Sequence, residues 1–60
     1  MTVSRLLGVL SHNCIVELRT ERGKFLYRGQ AYMLDSRYLL SCLVIDAFID
    51  AFIIVIIVTD

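Results

Sequence analysis

The 60-residue chain has no proline, only three glycines and one histidine, and no excess of charge of either sign. Each shortage excludes something. Without proline, a repeat or a low-complexity tract there is no linker, so residues 1–60 read as one small domain. Gly8, Gly23 and Gly29 are isolated, which excludes a glycine-rich phosphate loop. Six Lys and Arg balance six Asp and Glu, and that balance gives no overall basic footprint for nucleic acid. The two cysteines, Cys14 and Cys42, lack CxxC spacing, and Leu6-Leu7 does not extend into the apolar region of a signal peptide. The chain is therefore expected in the cytosol, with both thiols reduced and packed as small apolar residues.

What the chain has in abundance is apolar side chains, 58% of the total against 20% charged. A domain of this length buries only ~60% of the surface its unfolded chain exposes. Such an excess, placed on strands, points to burial between copies, so a homo-oligomer is expected. Most of the excess lies in residues 43–58, LVIDAFIDAFIIVIIV.

Two structures compete for that run. Residues 39–58 match the ~20 residues that a membrane helix needs. Asp46 and Asp50 fall near the middle of that span, and each carboxylate there costs ~2.5–3.5 kcal/mol. Residues 52–58 are β-branched except for Phe52, which is strand chemistry. A hairpin of strands 43–48 and 52–58 around the turn Ile49-Asp50-Ala51 is therefore expected, and a membrane as partner is disfavoured.

The rest of the chain divides into short elements. Thr2 suits the N-cap of a helix whose apolar face is Val3, Leu6, Leu7 and Leu10. Ser11-His12-Asn13 ends it. Residues 14–20 and 24–28 alternate as strands around the turn 20–23, with Gly23 at the left-handed position. That register sets Leu18 opposite Phe25 and Val16 opposite Tyr27, and it leaves Glu17, Arg19, Lys24, Ile15 and Leu26 on the other face. Gly29 ends the second strand. Residues 34–40 read as a single-turn helical connector capped by Asp35, with Leu34, Leu39 and Tyr38 turned inward. The expected fold is α+β: N-terminal helix, β-hairpin, short helical connector and second β-hairpin, forming a small antiparallel sheet.

No residue is assigned to catalysis, to a cofactor or to a metal. His12 and Cys14, two apart at a strand entry, need not face one another and have no third group to orient them. His12 with Asp46 and Asp50 is a thin set of metal ligands. Arg19, Arg22, Lys24 and Arg28, with Phe25 and Tyr27 between them, offer a basic stacking surface for single strands, although Glu17 and Glu21 dilute its charge. Arg19, Glu21, Arg22, Lys24 and Arg28 are the candidate residues for a macromolecular partner. Phe52, Ile54, Val55, Ile56 and Ile57 are the candidates for contact between copies.

Two resemblances follow. The helix of residues 4–10, Val16-Glu17-Leu18 and Arg28-Gly29 with Asp35 six residues later resemble the first half of Sm-like RNA-binding barrels. The base-contacting Asn of that family would fall at Leu39, and its later Arg-Gly motif is missing from residues 53–59. A wider ordered set comprises Met1-Thr2-Val3-Ser4, Leu6-Leu7, Val16-x-Leu18, Gly23-Lys24-x-Leu26-Tyr27-Arg28-Gly29-x-Ala31, Tyr38-Leu39-Leu40 and the closing Val/Ile hairpin. It resembles short phage, prophage and mobile-element proteins of Gram-positive bacteria. Asp35 stands where that pattern has proline, and the last strand is more apolar. The resemblance implies a bacterial host and a non-enzymatic accessory protein that binds a host protein, inhibition of a defence nuclease such as a CRISPR effector included. The other expected classes are a small nucleic-acid binder and a single-pass membrane protein.

Overall fold

The apolar C-terminal run folds as two strands in the computed structural model, which describes residues 1–59. In chain order the elements are α1 (Val3–Leu7), β1 (Ile15–Thr20), β2 (Phe25–Gln30), a 3-10 turn (Ala31–Met33), α2 (Arg37–Leu40), β3 (Val44–Asp50) and β4 (Ile53–Val58). The class is α+β. The four strands form one sheet in the order β2-β1-β4-β3.

The sheet is mixed rather than wholly antiparallel. β1 pairs with β2, and β4 with β3, in antiparallel fashion, but β1 and β4 run parallel through Ile15↔Ile53 to Thr20↔Val58. The sequence of β4 has a direct reason in this arrangement. A strand flanked on both sides and apolar on both faces reads as an unbroken hydrophobic run, and IIVIIV is such a run. Part of the apolar excess is thus absorbed by the centre of the sheet. Residues 39–58 are not one helix, and among the described residues no helix is long and apolar enough to cross a membrane.

The core lies on one face. Val16 and Leu18 of β1 and Ile56 and Val58 of β4 are buried there against Val3, Ala31 and Leu34. Leu6, Leu7, Leu10, Leu39 and Leu40 complete the cover, so the helical segments all serve this face. α1 starts as its spacing predicts, with the Thr2 hydroxyl accepting from the Arg5 N–H at 3.3 Å. The N-terminus is then tied to the start of β3: the Val3 N–H donates to Cys42 O at 2.9 Å and the Val44 N–H to Met1 O at 2.8 Å. The cap of α2 is Ser36, not Asp35; its hydroxyl accepts from the Leu39 N–H at 3.3 Å. Tyr38 consequently points outward and is 70% exposed, while Leu34 and Leu39 turn inward.

Both hairpins differ in register from expectation. In the first, Leu18 pairs with Tyr27, Val16 with Gly29 and Arg19 with Phe25, with a bulge at Leu18/Arg19. A bulge sets two residues against one and re-aims the side chains around it. Leu26 and Tyr27 therefore both reach the core, and Phe25 is sent to the opposite face, 59% exposed. β2 continues past Gly29 to Gln30, where the Tyr27 hydroxyl donates to Gln30 O at 2.9 Å.

In the second hairpin β3 runs on to Asp50, which pairs with Ile53, so the loop is the two residues Ala51 and Phe52. Two-residue loops match the right-handed twist of the strands they join. Ala51 has φ +57°, in the left-handed region where glycine is favoured over a residue with a Cβ. An L-residue in that region costs ~1–2 kcal/mol, and glycine's greater chain entropy returns ~0.5–1 kcal/mol of it. Ala51→Gly should therefore stabilise the fold by about 0.5–1 kcal/mol, raising the thermal midpoint by several degrees. A lower midpoint would contradict the turn geometry.

Candidate interaction face

The second face of the sheet is defined by the same registers. Its first row, across β2, β1, β4 and β3, is Phe25, Arg19, Ile57 and Asp46. The middle row is Arg28, Glu17, Val55 and Phe48. The last row is Gln30, Ile15, Ile53 and Asp50. None of these side chains belongs to the core cluster or packs against it. Six of them are nevertheless aliphatic or aromatic: Phe25, Ile57, Val55, Phe48, Ile15 and Ile53. This face is largely apolar, with Val55 buried at its centre beside the charged Glu17, and with Asp46 and Asp50 along one edge.

Glu17 sits in the middle of it and is only 6% exposed. A buried carboxylate must find cationic or hydrogen-bonding partners. Parity supplies them, since Arg19 is two residues on along β1 and Arg28 is its cross-strand partner on β2. Each oxygen takes one arginine: Oε2 accepts from Arg19 Nε, and Oε1 lies 3.8 Å from Arg28 Nε. Both guanidinium groups keep a large share of their surface in solvent, 43% and 56% of the side chain. Beside this ionic cluster Val55 is 2% exposed and Phe48 45%.

The outer edge of β3 is protected in its first half. With Asp50↔Ile53 closing a two-residue loop, alternate pairs turn the backbone groups of Ile49 and Ala47 to the free edge. The Ala47 N–H is taken by Asp46 Oδ1 at 2.8 Å, and a bulge interrupts the register between Val44 and Asp46. An acidic cap and a bulge are devices that discourage another strand from adding.

The five residues expected to meet a partner are divided between surfaces. Arg19 and Arg28 lie on the second face, tied to Glu17. Arg22 and Lys24 line a cleft of about 320 Å³ with Thr20, Leu26, Tyr38 and Thr59, and Glu21 is exposed in the turn. The Thr20 hydroxyl accepts from the Lys24 N–H at 3.1 Å, which fixes that turn. Of the residues expected between copies, Ile56 is spent on the core and Ile54 packs against it. Val55 and Ile57 lie on the second face, and Phe52 projects from the turn, 95% exposed. Phe25, Phe48, Ile15 and Ile53, also on this face, were not among the residues expected between copies. The signal that finds them is strand parity counted from Val55, once β3 and β1 are placed on either side of β4.

His12 is exposed and lines a cleft of about 250 Å³ with Ser4, Tyr32 and Leu40, on the helical side and away from Asp46 and Asp50. Cys14 and Cys42 are free and half-buried. Among the described residues no three His, Cys, Asp or Glu side chains are grouped to hold a metal ion. Comparison with family models, with curated proteins and with solved structures finds no match to the chain.

The ionic cluster gives an asymmetric mutational prediction. Removing the buried acid frees two half-solvated arginines, so Glu17→Leu should change stability by no more than about 1 kcal/mol. Arg19→Met with Arg28→Met strips a buried carboxylate of both partners and should cost about 3 kcal/mol or more. Urea unfolding of the two variants measures the difference; equal losses would contradict it.

Proposed function

We propose that this chain is a non-enzymatic binding protein that self-associates through the second sheet face and, as an assembly, holds a macromolecular partner. The observation that carries the reading is the composition of that face: Phe25 and Phe48 exposed, Ile15, Ile53 and Ile57 half-buried and Val55 buried, all around one saturated ion cluster. Monomeric domains rarely leave such a contiguous apolar surface without a use. The cluster supports binding rather than proton transfer, since both oxygens of Glu17 are already engaged by cations. For a protein resembling short phage and mobile-element accessory proteins, the partner is a host protein. Inhibition of a defence nuclease is the form that resemblance implies.

Binding of nucleic acid is the second reading, favoured by Phe25, Arg19 and Arg28 standing together at one side of the face. It is the weaker one because Glu17 neutralises part of that charge in place. A phosphate binder loses affinity steeply as salt rises, in proportion to the phosphates it neutralises. The chain should show no oligonucleotide affinity at low salt; binding with a steep salt dependence would establish the second reading instead.

Self-association through this face is tested by sedimentation. Phe48→Lys places a charge on its margin and should raise the self-dissociation constant at least ~10-fold. Tyr38→Lys, exposed on the helical side, should leave it unchanged. Equal effects of the two changes would remove the face from the account.

A further inference from the structure

We infer that the occupant of the second face is the same face of a second copy, related by a twofold axis that runs parallel to the strands between β1 and β4. This inference rests on the second face being the contact surface, and it adds which partner and which orientation.

Charge decides the orientation. The β2–β1 half of the face carries Arg19, Arg28 and Glu17, two positive charges less one negative, a net +1. The β4–β3 half carries Asp46 and Asp50 and no base, a net −2. An axis along the strands lays β2 over the partner's β3 and β1 over the partner's β4, so each half meets its opposite. Arg28 then falls over the partner's Phe48, a cation on an aromatic face. The roughly 30° between aligned packed sheets carries it about half a row toward one of the flanking acids. Ile15 falls over the partner's Ile53, and Arg19 over the partner's Ile57.

The other in-plane twofold, with its axis across the strands, preserves columns and reverses rows. It sets Arg28 on the partner's Arg28 and Asp46 on the partner's Asp50, which are like charges in a partly dry contact. Pairing of two β3 edges meets the acidic cap on Ala47 and the bulge at Val44/Asp46. The face-to-face arrangement with crossed halves is the one in which neither obstacle arises.

Area sets the strength. Four strands ~4.8 Å apart and six residues rising ~3.3 Å each give a face of roughly 400 Å² in plan. Two faces therefore remove on the order of 800 Å², more with side-chain relief, at the low end for specific interfaces. The dimer is accordingly one in exchange with monomer, with a dissociation constant in the micromolar range or above.

The test is charge reversal followed by sedimentation equilibrium of the full chain. Asp46→Lys with Asp50→Lys changes two exposed positions and should weaken the dimer ~10-fold or more, because the reversed charges recur on both sides of the axis. Adding Arg28→Glu to that variant should restore association to within ~3-fold of the parent. Circular dichroism confirms that each variant is folded. Should Arg28→Glu disturb the Glu17 cluster, Gln30→Lys in the otherwise unchanged chain gives a milder contrast: it falls over the partner's Asp50 and should tighten the dimer, and a weaker dimer would count against the crossed arrangement. An unchanged or tighter dimer from Asp46→Lys with Asp50→Lys would overturn this orientation. If Phe48→Lys still released monomer, the face would survive as the contact surface and only the crossed arrangement would fall.

Discussion

The parallel pairing of β1 with β4 is the constraint on which the remaining structure depends. It brings the most apolar strand to the middle of the sheet and fixes which side chains share a face. Because the side-chain period of a strand is two, a slip of one residue between them would turn either Val16 and Leu18 or Ile56 and Val58 away from the helices. Glu17 in the first case, or Val55 in the second, would then be driven under the helical cover. The register holds because the helical cover is itself anchored at both ends, by Val3 beside Cys42 and by Ala31, whose N–H donates to Cys14 O at 2.9 Å. The chain thereby obtains a two-layer fold from only 60 residues, with helices on one side of the sheet and side chains alone on the other.

The second face carries an energetic tension that the first does not. An acid in the midst of Ile and Val would be strongly unfavourable by itself. Arg19 and Arg28 relieve that cost while keeping their own outer surfaces hydrated. Ion pairs of this kind add little to stability compared with apolar groups of the same shape, and their attested use is to fix register or partner choice. Here the cluster divides an otherwise apolar face into a basic half and an acidic half. A surface with that division distinguishes between orientations, which a uniformly apolar one does not.

Much of this was legible in the residues and some was not. The helix at Val3 to Leu7 followed from Thr2 and the spacing of its leucines, and the strand character of residues 52–58 from β-branching. The parallel contact of β1 and β4 has no local signal, because periodicity describes one strand and not its neighbour. The bulge at Leu18/Arg19 was equally hidden, and it alone exchanges the places of Phe25 and Leu26. Ala51 at positive φ was missed because alanine does not advertise a turn as glycine would. The basic residues expected to meet a partner form a cluster along the chain. Their division between the sheet face and the cleft beside Tyr38 needed the fold.

The central claim is that the second face, and not the edge or the helical side, is where this protein meets its own kind. Methyl NMR spectra recorded along a dilution series test it most directly, since Ile and Val sample both faces and the edge at once. The account predicts concentration-dependent shifts for Ile15, Ile53, Val55 and Ile57, with Val16, Ile54, Ile56 and Val58 unmoved. Shifts confined to Ile45 and Ile49 on the β3 edge, or spectra independent of concentration throughout, would contradict it.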